Sequence, residues 1–338
     1  MRNKFIIVGV GAILMLALIA TGGWFILQQS QPHTSGQVIR VAKYYWPGSY
    51  WVEIANQKGW FKEAGLNVEL VDTNTDYNQS LKDTADGKLD TVNFPPFDLI
   101  QYNAKGADLN IVFTSDLSSG ADGIVAKTGL NTIKSLKGKK VAVTVGTYLD
   151  YILNVVLINN DLNPAEDIIK IDTTPEEAVT GFISGKYDAI VDWQPNLSEA
   201  ANKGKGKIIF DSSQMPGINF GNWVFKRSFI EARPEDVQAF VGVWNKTTEF
   251  IIANPQAAYA IIAQIHNIYP EEVAALAATD RIIGLKDNLT IFTYGPNLGS
   301  IHGAISKIND YLFERKVITQ KIDSLDIINA SFMRNLTQ

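Results

Sequence analysis

The 338-residue sequence predicts an α/β architecture of two lobes, with the second lobe inserted into the first, preceded by one N-terminal apolar helix. Three observations carry that prediction. Short apolar runs alternate with amphipathic segments from Val38 onward, the alternation restarts near residue 128, and beyond residue 215 it gives way to long helical segments. Two changes of pattern mean two chain crossings. The expected organisation is a leader and tether at 1–37, a first lobe from 38–127 plus 216–338, and an inserted second lobe at 128–215. Two crossings between α/β lobes make a hinge, and a hinge makes a cleft.

The leader comes first. Arg2 and Lys4 precede an uncharged stretch, Phe5–Leu27. As a helix it reaches about 34 Å, enough to cross the ~30 Å hydrocarbon core of a bilayer. Its small residues are followed by Trp24-Phe25-Ile26-Leu27, so it reads as an uncleaved anchor rather than a cleaved signal peptide. Under both readings the positive end stays inside and the body is exported, to the periplasm or the outer face of the membrane. Gln28–Gln37 is polar and non-periodic, a tether.

In the body, strands are expected at Val38–Tyr45, Val68–Val71, Thr91–Phe94, Asn110–Ser115 and Gly123–Lys127. Helices are expected at Tyr50–Ala64, closed by Gly65, at Asn78–Asp86, closed by Gly87, and at Phe97–Lys105, after the Pro95-Pro96 turn. The second set has strands at Lys139–Val143, Ile168–Ile171, Ala189–Asp192 and Ile208–Asp211. Its helices are Tyr148–Asn160, Pro175–Ser184 and Leu197–Asn202. Beyond Trp223–Phe225 the sequence becomes mainly helical, with helices at Pro234–Ala253, Pro255–His266, Pro270–Ala278 and Leu298–Glu314. The stripe Val237, Phe240, Val241, Trp244 and Phe250 lies at helical spacing and reads as core.

Composition narrows the chemistry. The chain has no cysteine, which excludes disulfides, thiolate zinc sites, iron–sulfur clusters and thiol catalysis. Three scattered histidines, His33, His266 and His302, offer no metal or catalytic constellation. No GxSxG, HExxH or GxxxxGK[ST] motif occurs, so neither an enzyme nor a cofactor is expected. A net charge of −5 argues against nucleic acid as a partner. A small molecule is the expected partner, taken up by a monomer.

In open α/β sheets, ligands sit beyond the carboxyl ends of strands, which directs attention to those positions. Trp46 follows the first strand and offers a flat wall; Asn93-Phe94 offers an amide and a ring. Asp116-Leu-Ser118-Ser-Gly-Ala-Asp122 is dense in hydroxyls and carboxylates. Gly146-Thr147-Tyr148 precedes a helix start, where backbone N–H groups face outward. Asp192-Trp193 ends an apolar strand, and a carboxylate beside an indole suits a cation or a multi-N–H donor. The bland reading of each is a cap, turn or core residue.

Several of these runs have a familiar order. Trp46-Pro-Gly, Ala55-Asn-Gln-Lys-Gly-Trp-Phe-Lys-Glu-Ala-Gly-Leu66, Leu136-Lys-Gly-Lys-Lys-Val-Ala-Val143, Asp188–Pro195 and Phe210–Gly217 together resemble the substrate-binding proteins of nitrate/sulfonate/taurine-type ABC importers. The resemblance implies a type II periplasmic-binding fold that closes on a small ligand and delivers it to a membrane permease, with ligand contacts, by position, expected near Trp46, Phe94, Ser118, Asp122, Thr147, Asp192 and Trp193. The Asp116–Asp122 and Phe210–Ser213 runs look nearest to an amine, urea or guanidine-related branch. The ligand first expected is accordingly neutral or cationic and nitrogen-rich. The alternative is an oxyanion such as a sulfonate, taurine or nitrate, held by helix N-termini with the aspartates turned away; no Arg or Lys stands at the strand ends singled out. A membrane-anchored sensor and a pyrimidine-precursor synthase are the remaining readings, and the latter lacks its cysteine signature.

Overall fold

A computed structural model describes residues 35–74 and 76–337. The expected anchor, Phe5–Leu27, lies outside them. Among the described residues no helix is long and apolar enough to cross a membrane.

Eleven strands form two sheets among these residues. They are β1 (Val38–Lys43), β2 (Asn67–Asp72), β3 (Thr91–Phe94), β4 (Leu109–Ser118), β5 (Asp122–Lys127), β6 (Lys140–Val143), β7 (Ile169–Asp172), β8 (Ala189–Trp193), β9 (Gly206–Asp211), β10 (Phe220–Lys226) and β11 (Asp280–Ile282). The six-stranded sheet runs β11-β4-β10-β3-β1-β2 and the five-stranded sheet runs β7-β6-β8-β5-β9. In the first, β1 pairs in parallel with β2 and β3, while β10 and β11 are antiparallel to their neighbours. In the second, β6 is parallel to β7 and β8, and β5 runs antiparallel between β8 and β9. The two sheets are the cores of two lobes, linked where β4 runs on to β5 and where β9 leads to β10.

Three sequence expectations are corrected. Gly123–Lys127, read with the first set of strands, pairs with β8 and β9 in the second sheet. Its apolar run is buried on both faces, and such a run carries no period that tells one sheet from another. The single helix expected over Tyr50–Ala64 is three short pieces, Pro47–Tyr50, Val52–Gln57 and Trp60–Glu63. It breaks where Gly59 turns left-handed at φ 73°. Strand β11 and the helix Leu285–Ile291 were not foreseen, and the helix expected from Leu298 starts at Ile301. A three-residue edge strand is too short to show a period.

The long C-terminal helices cover the first sheet. On Pro234–Ala253, Phe240 packs against Phe61, Trp223 and Phe225, and Trp244 lies 5.0 Å from Trp223, ring centre to ring centre. Each buried large aromatic removes its apolar area from water at ~25 cal/mol/Å². The helix Ile301–Glu314 reaches the other lobe: Tyr311 makes an edge contact with Tyr151 at 5.0 Å, and its hydroxyl accepts a hydrogen bond from Asn154 Nδ2 at 2.6 Å. Phe97 of the helix Pro96–Ala104 stacks on the same Tyr151 at 5.6 Å.

Candidate functional site

Strand β1 ends at Lys43, and the chain then places three aromatic residues in succession, Tyr44, Tyr45 and Trp46. They form one wall of a cavity of about 180 Å³ between the lobes. Thr73 and Asn74 beyond β2, Asn93 and Pro95 around the end of β3, and Asp116 near the end of β4 continue the first-lobe wall. Tyr148 and Trp193 close it from the second lobe, with Asn219, Phe220 and Gly221 at the start of β10. The volume lies below the ~300–1,000 Å³ of pockets for drug-sized molecules, so the cavity suits a small solute.

The wall is held from behind. Tyr45 N–H donates to Asn74 Oδ1 at 2.6 Å, and Asn74 Nδ2 donates to Asp72 Oδ1 at 2.9 Å. Asp72 pairs with Lys43 at 3.0 Å, Lys43 with Glu53 at 3.2 Å, and Glu53 with His266 Nε2 at 2.8 Å. The His266 ring lies 4.9 Å from that of Tyr45, which completes the loop.

Asp116 is the hub of the floor. Its Oδ1 accepts from Asn93 Nδ2 at 3.2 Å and from the Ser115 hydroxyl, and its Oδ2 accepts from Trp46 Nε1 at 3.3 Å. Burial pushes the Asp116 carboxyl up, while the donors Ser115, Trp46 and Asn93 hold it back down. Two glycines make room for it. A Cβ on Gly48 would stand 1.9 Å from Asp116 Oδ1, and one on Gly221 would stand 2.0 Å away.

Two of the seven residues expected from the sequence line this cavity: Trp46 and Trp193. The other five sit around it in different roles. Phe94 is fully buried in the core against Tyr102, and its neighbour Pro95 faces the cavity. The Thr147 hydroxyl donates to Thr144 O at 2.7 Å, and the next residue, Tyr148, supplies the wall. The Ser118 hydroxyl lies 2.6 Å from that of Ser212, so it ties one lobe crossing to the other. Asp122 accepts from Asn219 Nδ2 at 3.2 Å; burial raises its carboxyl, against hydrogen bonds from Ser118, Asn219 and Tyr148. Asp192, fully buried, accepts from Trp193 N–H at 2.8 Å and from Asn196 Nδ2 at 3.2 Å, and burial pushes it up to about 7. Strand ends alternate faces, so of Asp192 and Trp193 only one can face the groove, and it is the indole.

Sequence reasoning did not single out Tyr44, Tyr45, Thr73, Asn74, Asp116, Asn219, Phe220 or Gly221 as ligand residues. The consecutive Tyr-Tyr-Trp beyond β1 was the available signal. No side chain in the lining is cationic. Instead the helices Pro96–Ala104 and Tyr148–Ile158, one from each lobe, begin at Pro95 and Tyr148 in the cavity wall. The N-terminal ends of both helices thus lie at the cavity wall, the first carrying no N–H at Pro95 or Pro96 and an acid, Asp98, in its first turn.

Comparison with known proteins adds to this geometry. A family model described as NMT1/THI5 like matches residues 47–258, more than half of the chain. A protein of Bacillus subtilis named for aliphatic sulfonate binding is 26% identical over 289 residues, 83% of each chain. The taurine-binding periplasmic protein of Escherichia coli is 23% identical over 227 residues, 65% of this chain and 68% of its own. Among solved structures, the periplasmic aliphatic sulphonate-binding protein SsuA of Escherichia coli superposes with a TM-score of 0.70 at 19% identity, covering 86% of this chain and 97% of its own. The fold is the type II periplasmic-binding fold.

Proposed function

The chain belongs to the NMT1/THI5-like family, and from that premise we propose that it is an exported solute-binding protein that closes on a small organosulfonate and delivers it to the permease of an ABC importer. The observation that carries the ligand class is the meeting of two helix N-termini, at Pro95 and Tyr148, on one cavity that contains no buried free aspartate of the second lobe. Dipole ends stabilise an oxyanion without a formal positive charge. Neither aspartate first expected to hold a nitrogen-rich cation lines the cavity: Asp192 turns to Asn196 and the Trp193 backbone, and Asp122 accepts from Asn219 through Oδ2 while its Oδ1 has no hydrogen-bond partner among the described residues. The relatives that bind sulfonates and taurine favour the same oxyanion reading.

The roles follow from chemistry. On this reading Trp46 and Trp193 cover the apolar carbon body of the solute, and Tyr148 is the polar lining residue of the second lobe, since the Asn93 and Asn219 amides already donate to Asp116 and Asp122. Closure removes water and strengthens these hydrogen bonds. On this reading the protein acts as a monomer that makes no bonds and needs no cofactor; the lack of cysteine, which removes thiol catalysis, supports the second point. One observation favours an amine instead: the Asp116 carboxylate beside Trp46 in the floor.

A thermal-shift screen of the purified protein decides between them, using ethanesulfonate, taurine, nitrate, ethylamine, guanidinium and urea. A ligand at 100 times its Kd stabilises by ~2.7 kcal/mol. Sulfonates are expected to raise Tm. A rise with ethylamine or guanidinium and none with either sulfonate overturns the ligand assignment.

A further inference from the structure

Strand β11 brings one more acid up beside Asp116, outside the cavity lining itself. Asp280 pairs with Ser118 and Ile282 with Asp116 in the antiparallel β11/β4 register, so Asp280 and Asp116 stand diagonally on one face. Asp280 is 7% exposed, and neither of its oxygens receives a hydrogen bond from any donor group among the described residues. Its carboxyl faces that of Asp116. Two carboxyl groups can hydrogen-bond only when one of them carries a proton. Asp116 already accepts from Trp46, Asn93 and Ser115, and these donors favour its charge. Asp280 has no such support, so it is the member that keeps the proton and donates it.

We propose that Asp280 is a positioning residue of the ligand site: by donating its carboxyl proton to Asp116 it keeps the cavity floor at a single, fully hydrogen-bonded negative charge, and so lets an anionic head group enter. This rests on the sulfonate reading above. Burial, then the charge of Asp116, raises the Asp280 carboxyl well above the ordinary range, in agreement with that assignment. The other groups acting on the pair are Asp122 on β5 and Tyr50 on the Pro47–Tyr50 helix. Tyr50 in turn lies 6.4 Å from His266, Tyr148 hydrogen-bonds Asp122, and Arg281 pairs with Asp287 instead. No ion pair reaches either carboxyl among the described residues, so hydrogen bonds alone disperse the charge.

The test compares Asp280→Asn, which keeps a donor, with Asp280→Ala, which removes it. Ethanesulfonate affinity is measured by calorimetry from pH 5 to pH 8, and the infrared carbonyl band of a protonated carboxyl is recorded without ligand. Because Asp192 and Asp98 also hold protons up to about pH 7, the band is read at pH 8 as the difference between wild type and each variant, and both difference spectra should show it. Asp280→Asn should bind within about threefold of wild type, while Asp280→Ala should bind about tenfold more weakly at pH 7.5 and recover toward pH 5, as Asp116 itself takes up a proton. Absence of the band, or equal loss in both variants with an unchanged pH profile, overturns the proposal. If the wild-type protein binds ethylamine and no sulfonate, the sulfonate reading fails separately. The pair is then judged by the band and by tighter ethylamine binding in Asp280→Ala.

Discussion

Asp192 shows how a correct residue type acquires a different role. An acid ending a buried strand before Trp193 resembles a ligand contact, yet its oxygens turn back to Trp193 N–H and Asn196. Burial lifts it from 3.8 to about 7. The folded protein therefore retains a proton that the unfolded chain releases near pH 4. The stability this group contributes is complete below about pH 4 and is lost as pH rises through about 7. Asp192→Asn does not titrate, so urea unfolding should show the variant gaining on wild type by on the order of 3 kcal/mol between pH 4 and pH 8. Its sulfonate affinity should stay within about threefold of wild type, because the side chain does not reach the cavity. A parallel pH dependence in both proteins would refute the burial argument. At this scale the sequence revealed which strand ends matter, through Trp46 and Trp193. It could not reveal which way Asp122 and Ser118 point, since their partners Asn219 and Ser212 lie more than 90 residues away in the chain.

Among the elements, the helices Pro96–Ala104 and Tyr148–Ile158 start together at the cavity and stay in contact with Ile301–Glu314 as they leave it. Asn154 is fixed on the second lobe by Asp150 and Lys170 and reaches across to Tyr311. Tyr311→Phe removes the acceptor, at a cost of about 1 kcal/mol. If this contact holds the lobes together, the substitution should weaken every ligand by the same factor, about threefold to fivefold. Calorimetry with ethanesulfonate and taurine checks it; a change in their ratio would show an effect on the cavity instead. Long periodic elements were legible: Pro234–Ala253 and Pro255–His266 have the ends their prolines predict. Tyr50–Ala64 was misread because its apolar spacing continues through Gly59, where the backbone does not.

For the whole molecule, two lobes and two crossings were readable from the change in pattern along the chain, because parallel β–α units need intervening helices and leave a visible rhythm. The assignment of β5 was not, since sheet membership depends on partners distant in sequence. The chain's lack of cysteine makes motion accessible: spin labels at Ile183→Cys and Ile252→Cys, both on exposed sites of opposite lobes, attach nowhere else. Ethanesulfonate should narrow the distance distribution between them, and Ser212→Ala should broaden it. Identical distributions in all three states would mean that the lobes do not move.

The pair Ser118 and Ser212 has a mechanical meaning. Their hydroxyls meet at 2.6 Å, Ser212 also accepts from Gly120 N–H at 2.8 Å, and Ser118 N–H reaches Asn219 O at 3.2 Å. Both connecting segments are thus fastened side by side, which couples the bending expected of one to that of the other. Such a joint turns about one axis and resists twisting. On the proposed function, loading and emptying would be the same swing run in opposite directions, and a partner that pries the outer rims apart would unload the cargo without ever touching it.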